Sequence, residues 1–254
     1  GIIASTHNLL LFTDVDCRLN SKWVSSMAQC FEQNIDYVFG FTGITNPSNL
    51  VAVFQKIDFQ MLFTAARSMS LFNLPWASSG QNQAYLKETY LNIGFEKLQH
   101  LLQGDDSLFM QICKNNGSCI RFNNSRESYV ESRQETNIWS FIKQRIRWAG
   151  DAGVMWKYNK MFYITIVSTF ITNLVIAILL FLFLLGEGGL LPLLACILIT
   201  KFLLELLLYL EGSIIFKRTI HPIGFIMWFM LQIPYVVITG IGSFYANHIS
   251  WRGK

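Results

Sequence analysis

The C-terminal part of the chain is apolar over long, nearly unbroken stretches. Residues 162–185 run for 24 positions without a charge. As a helix they reach about 36 Å, more than the roughly 30 Å of a bilayer core. Gly186-Glu187-Gly188-Gly189 predicts a turn after them. Residues 190–210 form a second stretch, interrupted by Lys201 and Glu205. Four apart, these two share one helix face and can neutralise each other or face a protein interior. Residues 223–245 form a third stretch with Pro234 at its middle. It reads either as a kinked span or as two half-length segments that dip in and return. The second form keeps the basic tail (Trp251, Arg252, Lys254) on the cytoplasmic side, and we expect it.

The preceding 160 residues follow a different pattern. NLLLF (residues 8–12) is a short apolar run ending in Thr13-Asp14-Val15-Asp16, as suits a strand covered on both faces. Residues 48–72 predict a helix, capped by Ser48 or Asn49 and bracketed by Pro47 and Pro75. Residues 85–102 read as mostly helical with a break at Asn92-Ile93-Gly94. A helix over 107–114 follows Gly104-Asp105-Asp106. A strand over 119–122 follows the Asn116-Gly117 turn. The fold class is therefore α/β for residues 1–136, then an interfacial region at 137–160, then an all-α membrane region of two to three helices at 161–254.

Charge sharpens this division. Residues 1–160 hold 15 of the 20 Lys and Arg and 13 of the 16 Asp and Glu. Their surplus of +2 is too small to argue for a nucleic-acid partner. Lys157 and Lys160 precede the first span, and Lys217 and Arg218 follow the second. Two spans put both clusters on one side, which the positive-inside rule makes cytoplasmic. Five cysteines without a CxxC pair argue against a disulfide framework and fit a reducing compartment. The chain opens on Gly1, and only seven residues precede Asn8. We therefore expect strands of a doubly wound sheet to lie upstream, and the 254 residues alone to be inactive and to bind nucleotide poorly.

Three elements carry candidate chemistry. Asp14 and Asp16, beyond the end of a strand, suit Mg²⁺ or Mn²⁺ with phosphate oxygens as further ligands. Asp105 and Asp106 are adjacent carboxylates: one serves as a general base, or Asp106 is simply the N-cap of the helix that follows. In Gln144-Arg145-Ile146-Arg147-Trp148, Arg147 offers a bidentate phosphate clamp and Trp148 a flat face for a sugar. The same segment, with Trp139, Phe141 and Trp156, also suits a helix lying at a membrane surface.

In this order, FTDVDC (12–17), SGQN (79–82), GDD (104–106), QRIRW (144–148) and WRGK (251–254) resemble the family 2 glycosyltransferases of bacterial membranes, relatives of cellulose, poly-N-acetylglucosamine and ceramide-glucosyl synthases. QxxRW is the specific motif, expected by chance in on the order of one chain in a hundred this long. The resemblance implies a GT-A-like doubly wound domain and an inverting transfer. Asp14 would lie near the donor ribose and diphosphate, and Asp16 would ligate Mg²⁺ or Mn²⁺. Asp106 would be the base, supported by Asp105, which stands where Glu is commoner. Gln144 and Arg147 would hold the diphosphate. Trp148, Gly80 and Asn82 would meet the sugar or acceptor. The donor would be a UDP- or GDP-sugar. The acceptor would be a lipid, a lipid-linked sugar or a glycan. The location would be the bacterial inner membrane, with the catalytic domain cytoplasmic. A processive polysaccharide synthase subunit is the neighbouring reading. A non-enzymatic transporter or scaffold accounts for the spans and leaves the motif order unexplained.

Overall fold

The computed structural model describes residues 1–94, 106–150 and 152–246. Two compact units emerge: 1–47 with 59–134, and 48–58 with 135–254.

The first unit is built on a four-stranded sheet of β1 (Leu9–Phe12), β3 (Tyr37–Gly40), β5 (Gln83–Leu86) and β6 (Ile120–Asn123), in the order β1-β5-β3-β6. β3 pairs in parallel with β6, whereas β5 runs antiparallel to both β1 and β3. The sheet formed by the described residues is therefore mixed. The pairing corrects residues 83–86, read in part as the start of a helix. QAYL extends because it pairs on both edges, and the helix α3 (Lys87–Ile93) starts only after it and ends at Gly94, whose φ is +76°.

Both faces of the sheet are covered, as the NLLLF pattern predicts. Val38 and Ala84 pack with Trp23 and Met27 of α1 (Trp23–Gln29) on one face. On the other, Tyr85 stacks on Phe12 at 4.4 Å and meets Phe109 of α4 (Ser107–Asn115) edge-on at 4.8 Å. A second, three-stranded sheet joins β2 (Arg18–Leu19), β7 (Val130–Glu131) and β4 (Thr42–Gly43) in the order β2-β7-β4. The architecture is mixed α/β, followed by helices.

The helix α2 (Leu50–Leu71) starts where Asn49 Oδ1 accepts the Ala52 N–H at 2.9 Å, the expected cap. The second unit takes its first turns and adds α5 (Ile138–Gly150), α6 (Ala152–Tyr158), α7 (Lys160–Leu184), α8 (Leu191–Ile215) and α9 (Pro222–Ser243). The last three are each long and apolar enough to cross a membrane. α9 is one helix running through Pro234, so the two half-length segments expected there do not form. Proline removes a single N–H donor, and an apolar helix held by packed neighbours tolerates that loss. At 22 residues, α9 reaches about 33 Å. The tail 251–254 lies outside the described residues.

Small residues set the packing of α9. A Cβ on Gly240 would sit 2.3 Å from the Phe170 ring of α7, and one on Gly242 would sit 2.6 Å from Ile146 of α5. Lys201 and Glu205 on α8 form the expected pair at 2.7 Å. Lys201 also donates to Gln232 of α9 and lies 4.6 Å from the Phe229 ring centroid.

Candidate functional site

The carboxyl ends of β1, β3 and β6 share one edge of the sheet with the amino end of β5, because Phe12 and Phe39 both face Gln83 in register and Gly40 faces Asn123. Residues 13–17 and 79–82, two of the motifs read from the sequence, therefore emerge at the same edge.

On the first of these loops Cys17 N–H closes a turn onto the Asp14 carbonyl at 3.1 Å. The turn brings a carboxylate oxygen of Asp14, one of Asp16 and Cys17 Sγ within 4.8 Å of one another. Both carboxylates are exposed and the thiol is half-buried. Burial, followed by the nearby Asp14 and Asp16 charges, pushes the Cys17 thiol above its ordinary value. Two exposed carboxylates at this spacing fit a hard divalent cation that keeps positions open for phosphate oxygens.

The second loop is fastened to the start of α4. Ser107 Oγ donates to the Ser78 carbonyl at 2.9 Å and accepts the Ser78 N–H at 3.1 Å. Asp106 caps α4 by accepting the Ser107 N–H, and its other oxygen accepts the Gly80 N–H at 3.3 Å. The structure thus joins Asp106 to the SGQN loop, and Asp106 is the N-cap of α4. Asp105 lies outside the described residues. A Cβ on Gly80 would meet nothing within 4 Å, so this loop has open space beside it. Below it, Tyr37 donates to Gln83 and lies 3.1 Å from Ser78 Oγ. Burial holds the Tyr37 phenol well above its ordinary value, so it stays a neutral donor.

Asn82, expected to meet the sugar or acceptor, faces inward. It is fully buried, its amide donates to the carbonyls of Phe41 (2.9 Å) and Ser128 (2.8 Å), and its oxygen accepts from Trp23 Nε1 (3.0 Å). Every hydrogen of the amide is spent inside the protein. Its role is to lock the loop to β3 and to the start of α1.

The third element, Gln144-Arg145-Ile146-Arg147-Trp148, belongs to the second unit, on α5. Gln144 and Arg147 are half-buried and Trp148 keeps 38% of its surface. Arg145 was not singled out by the motif, yet it is the buried member. Its Nη2 lies 3.0 Å from Asp58 Oδ2 of α2, and its guanidinium lies 4.2 Å from the Trp148 ring centroid. Burial raises the Asp58 carboxyl above the ordinary range, against the pull of Arg145 and of Trp228. The sequence signal for this pair is faint: an acid in an apolar helical run, and a second arginine two residues before Arg147.

A cleft of about 330 Å³ opens elsewhere in the first unit, lined by Asp36, Glu88, Asn92 and Ser118. Asp36 precedes β3 and Glu88 follows β5, so it lies at the opposite end of the sheet from the motif loops.

No curated protein matches the chain. The family model described as glycosyl transferase family 21 matches residues 1–254. It replaces family 2, the resemblance read from the motifs, with another glycosyltransferase family. The chain therefore belongs to glycosyl transferase family 21.

Proposed function

We propose that this protein is a membrane-anchored inverting glycosyltransferase that moves one sugar from a UDP- or GDP-sugar to a lipid acceptor, as the ceramide-glucosyl synthases among the motif relatives do. The observation that carries the reading is the convergence of Asp14 and Asp16 beyond β1, on the sheet edge where the Gly80 loop also emerges, with Asp106 fastened to that loop.

Asp16, with Asp14, would hold Mg²⁺ or Mn²⁺, and the cation would supply charge stabilisation for the departing diphosphate. Asp106 takes the proton from the acceptor hydroxyl. Its two oxygens accept one backbone N–H each, from Ser107 and Gly80, which fixes the carboxylate beside the Gly80 loop. The acceptor oxygen bonds to the anomeric carbon as the bond from that carbon to the phosphate oxygen breaks. The nucleoside diphosphate leaves with the electron pair, and the configuration inverts. Arg147 and Gln144 are assigned to the diphosphate and Trp148 to the acceptor. The three long apolar helices support an anchor in the membrane. We assign the catalytic domain to the cytoplasmic face of a bacterial inner membrane, from the basic residues flanking the first two spans.

The test is transfer in native membranes or nanodiscs, with radiolabelled UDP- and GDP-sugars and extracted lipids. One glycolipid product, lost with EDTA and restored by Mn²⁺, supports the reading. A ladder of lengthening polysaccharide points to processive synthesis. No transfer from any donor, with no cation-dependent donor binding, overturns it.

A further inference from the structure

The ion pair between Asp58 and Arg145 invites a functional account, because a buried ion pair is a poor way to stabilise a fold. Its side chains keep only 8% and 3% of their surface. Removing two charges from water offsets most of their attraction, and apolar residues of similar size commonly stabilise as well or better. The pair does have a geometric consequence. Arg145 lies one helical turn from both Phe141 and Trp148, so its guanidinium is flanked by their rings, at 5.1 Å and 4.2 Å from the centroids. Phe141 is itself fixed: it is buried, stacks on Tyr235 at 5.5 Å and meets Phe54 edge-on at 5.7 Å. Asp58, from another helix, anchors the outer end of the guanidinium. Trp148 is the partly exposed end of this chain of contacts.

We propose that Asp58 and Arg145 are positioning residues: their ion pair holds the guanidinium over the Trp148 ring and so sets the plane that Trp148 offers to the acceptor sugar. The inference rests on the assignment of Trp148 to the acceptor. A tryptophan on an exposed helix face has two rotatable side-chain bonds. A planar cation under the ring removes that freedom before the acceptor arrives, which is the usual function of a supporting shell around a binding group. Lysine would not substitute for Arg145, since an ammonium cannot both stack and bridge to a carboxylate.

The test uses the whole chain in nanodiscs. The double variant Asp58→Leu/Arg145→Met replaces the pair with apolar groups of similar size, so the core stays filled; Asp58→Asn is the milder second variant. Emission spectra are recorded for each and for its Trp148→Phe counterpart, and the difference isolates Trp148. A shifted difference spectrum with unchanged thermal midpoint is expected in the double variant. In transfer assays, acceptor KM should rise on the order of tenfold with donor Kd unchanged. An unshifted Trp148 spectrum in both variants overturns the positioning role, whatever the kinetics. A shifted spectrum with wild-type acceptor KM shows that the pair orients Trp148 but overturns its service to the acceptor. Trp148→Ala tells the two assumptions apart. If it leaves acceptor KM unchanged, the assignment of Trp148 fails, and the spectrum alone decides the pair.

Discussion

The side-chain amide of Asn82 occupies the space that a Cβ on Gly40 would need, with Nδ2 only 2.6 Å from that position. The amide cannot retreat, since both its hydrogens are held by the carbonyls of Phe41 and Ser128. Gly40→Ala should therefore destabilise the first unit by about 1–3 kcal/mol. Asn82→Ala should be worse, about 3–5 kcal/mol, because it strands the Trp23 indole N–H and two buried carbonyls. Thermal midpoints of the purified variants check both. A sugar-contacting Asn82 would instead lower donor or acceptor affinity with little change in midpoint.

Asp106→Asn separates the two roles of that side chain. The amide oxygen still accepts the Ser107 N–H, so the cap on α4 survives. The NH₂ group cannot accept from Gly80 or take a proton. Transfer should fall by about 10²–10⁴ with donor binding retained and a midpoint loss of about 1 kcal/mol. Near-normal turnover would leave Asp106 as a helix cap alone.

Asp16→Asn should act on the donor. Removing one of two exposed carboxylates weakens the cation site without opening the core. Calorimetric titration with Mn²⁺ should show weaker binding, and donor affinity should become insensitive to added metal. Unchanged Mn²⁺ affinity would assign the cation elsewhere.

Gly240→Val should disturb the contact between α7 and α9, since the added carbon meets the Phe170 ring at 2.3 Å. Close approach through small residues is how apolar helices associate without a hydrophobic driving force. Phe170→Ala should restore much of the lost stability in the double variant. Additive losses would show that the two positions do not share this contact.

Cys113 is buried in α4, and burial followed by the Asp36 charge pushes its thiol from 9.0 up to about 12. The unfolded chain releases this proton first, so the contribution of Cys113 is intact below pH 9 and is lost as pH rises toward 12, at up to about 1.4 kcal/mol per pH unit. Cys113→Ala should flatten the fall in midpoint over that range. At pH 8 a maleimide should modify exposed Cys119 well before Cys113. Equal labelling rates would contradict the burial.

Local signals carried much of the fold. The run at 8–12 contains the strand Leu9–Phe12, the stretch 48–72 the helix Leu50–Leu71 capped by Asn49, and the long apolar stretches three helices, because burial pattern and caps are written in neighbouring positions. β5 was hidden because four residues between a loop and a helix acquire extended geometry only from their two partner strands. The closeness of Asp14 and Asp16 follows from their spacing. The bond from Gly80 to Asp106 spans 26 residues, and the Asp58–Arg145 pair 87, so no local pattern encodes either. Asn82 shows how little one residue type encodes: an amide suits a sugar and a buried backbone carbonyl equally well.

The polar contact between α8 and α9 bears on how the protein is made. α8 carries three charges, Lys201, Glu205 and Glu211, in an otherwise apolar helix, and the two nearest its middle, Lys201 and Glu205, each disfavour entry at the bilayer centre by about 2.5–3.5 kcal/mol when travelling alone. The Lys201–Glu205 pair offsets part of this within the helix itself. The remaining acceptor, Gln232, is synthesised about thirty residues later, a few seconds at ordinary ribosomal speed. During that interval α8 is only partly satisfied, and its best partner is still emerging. The two helices should therefore leave the translocon as a pair, with a ribosome stalled before Gln232 leaving α8 loosely inserted and open to extraction and degradation.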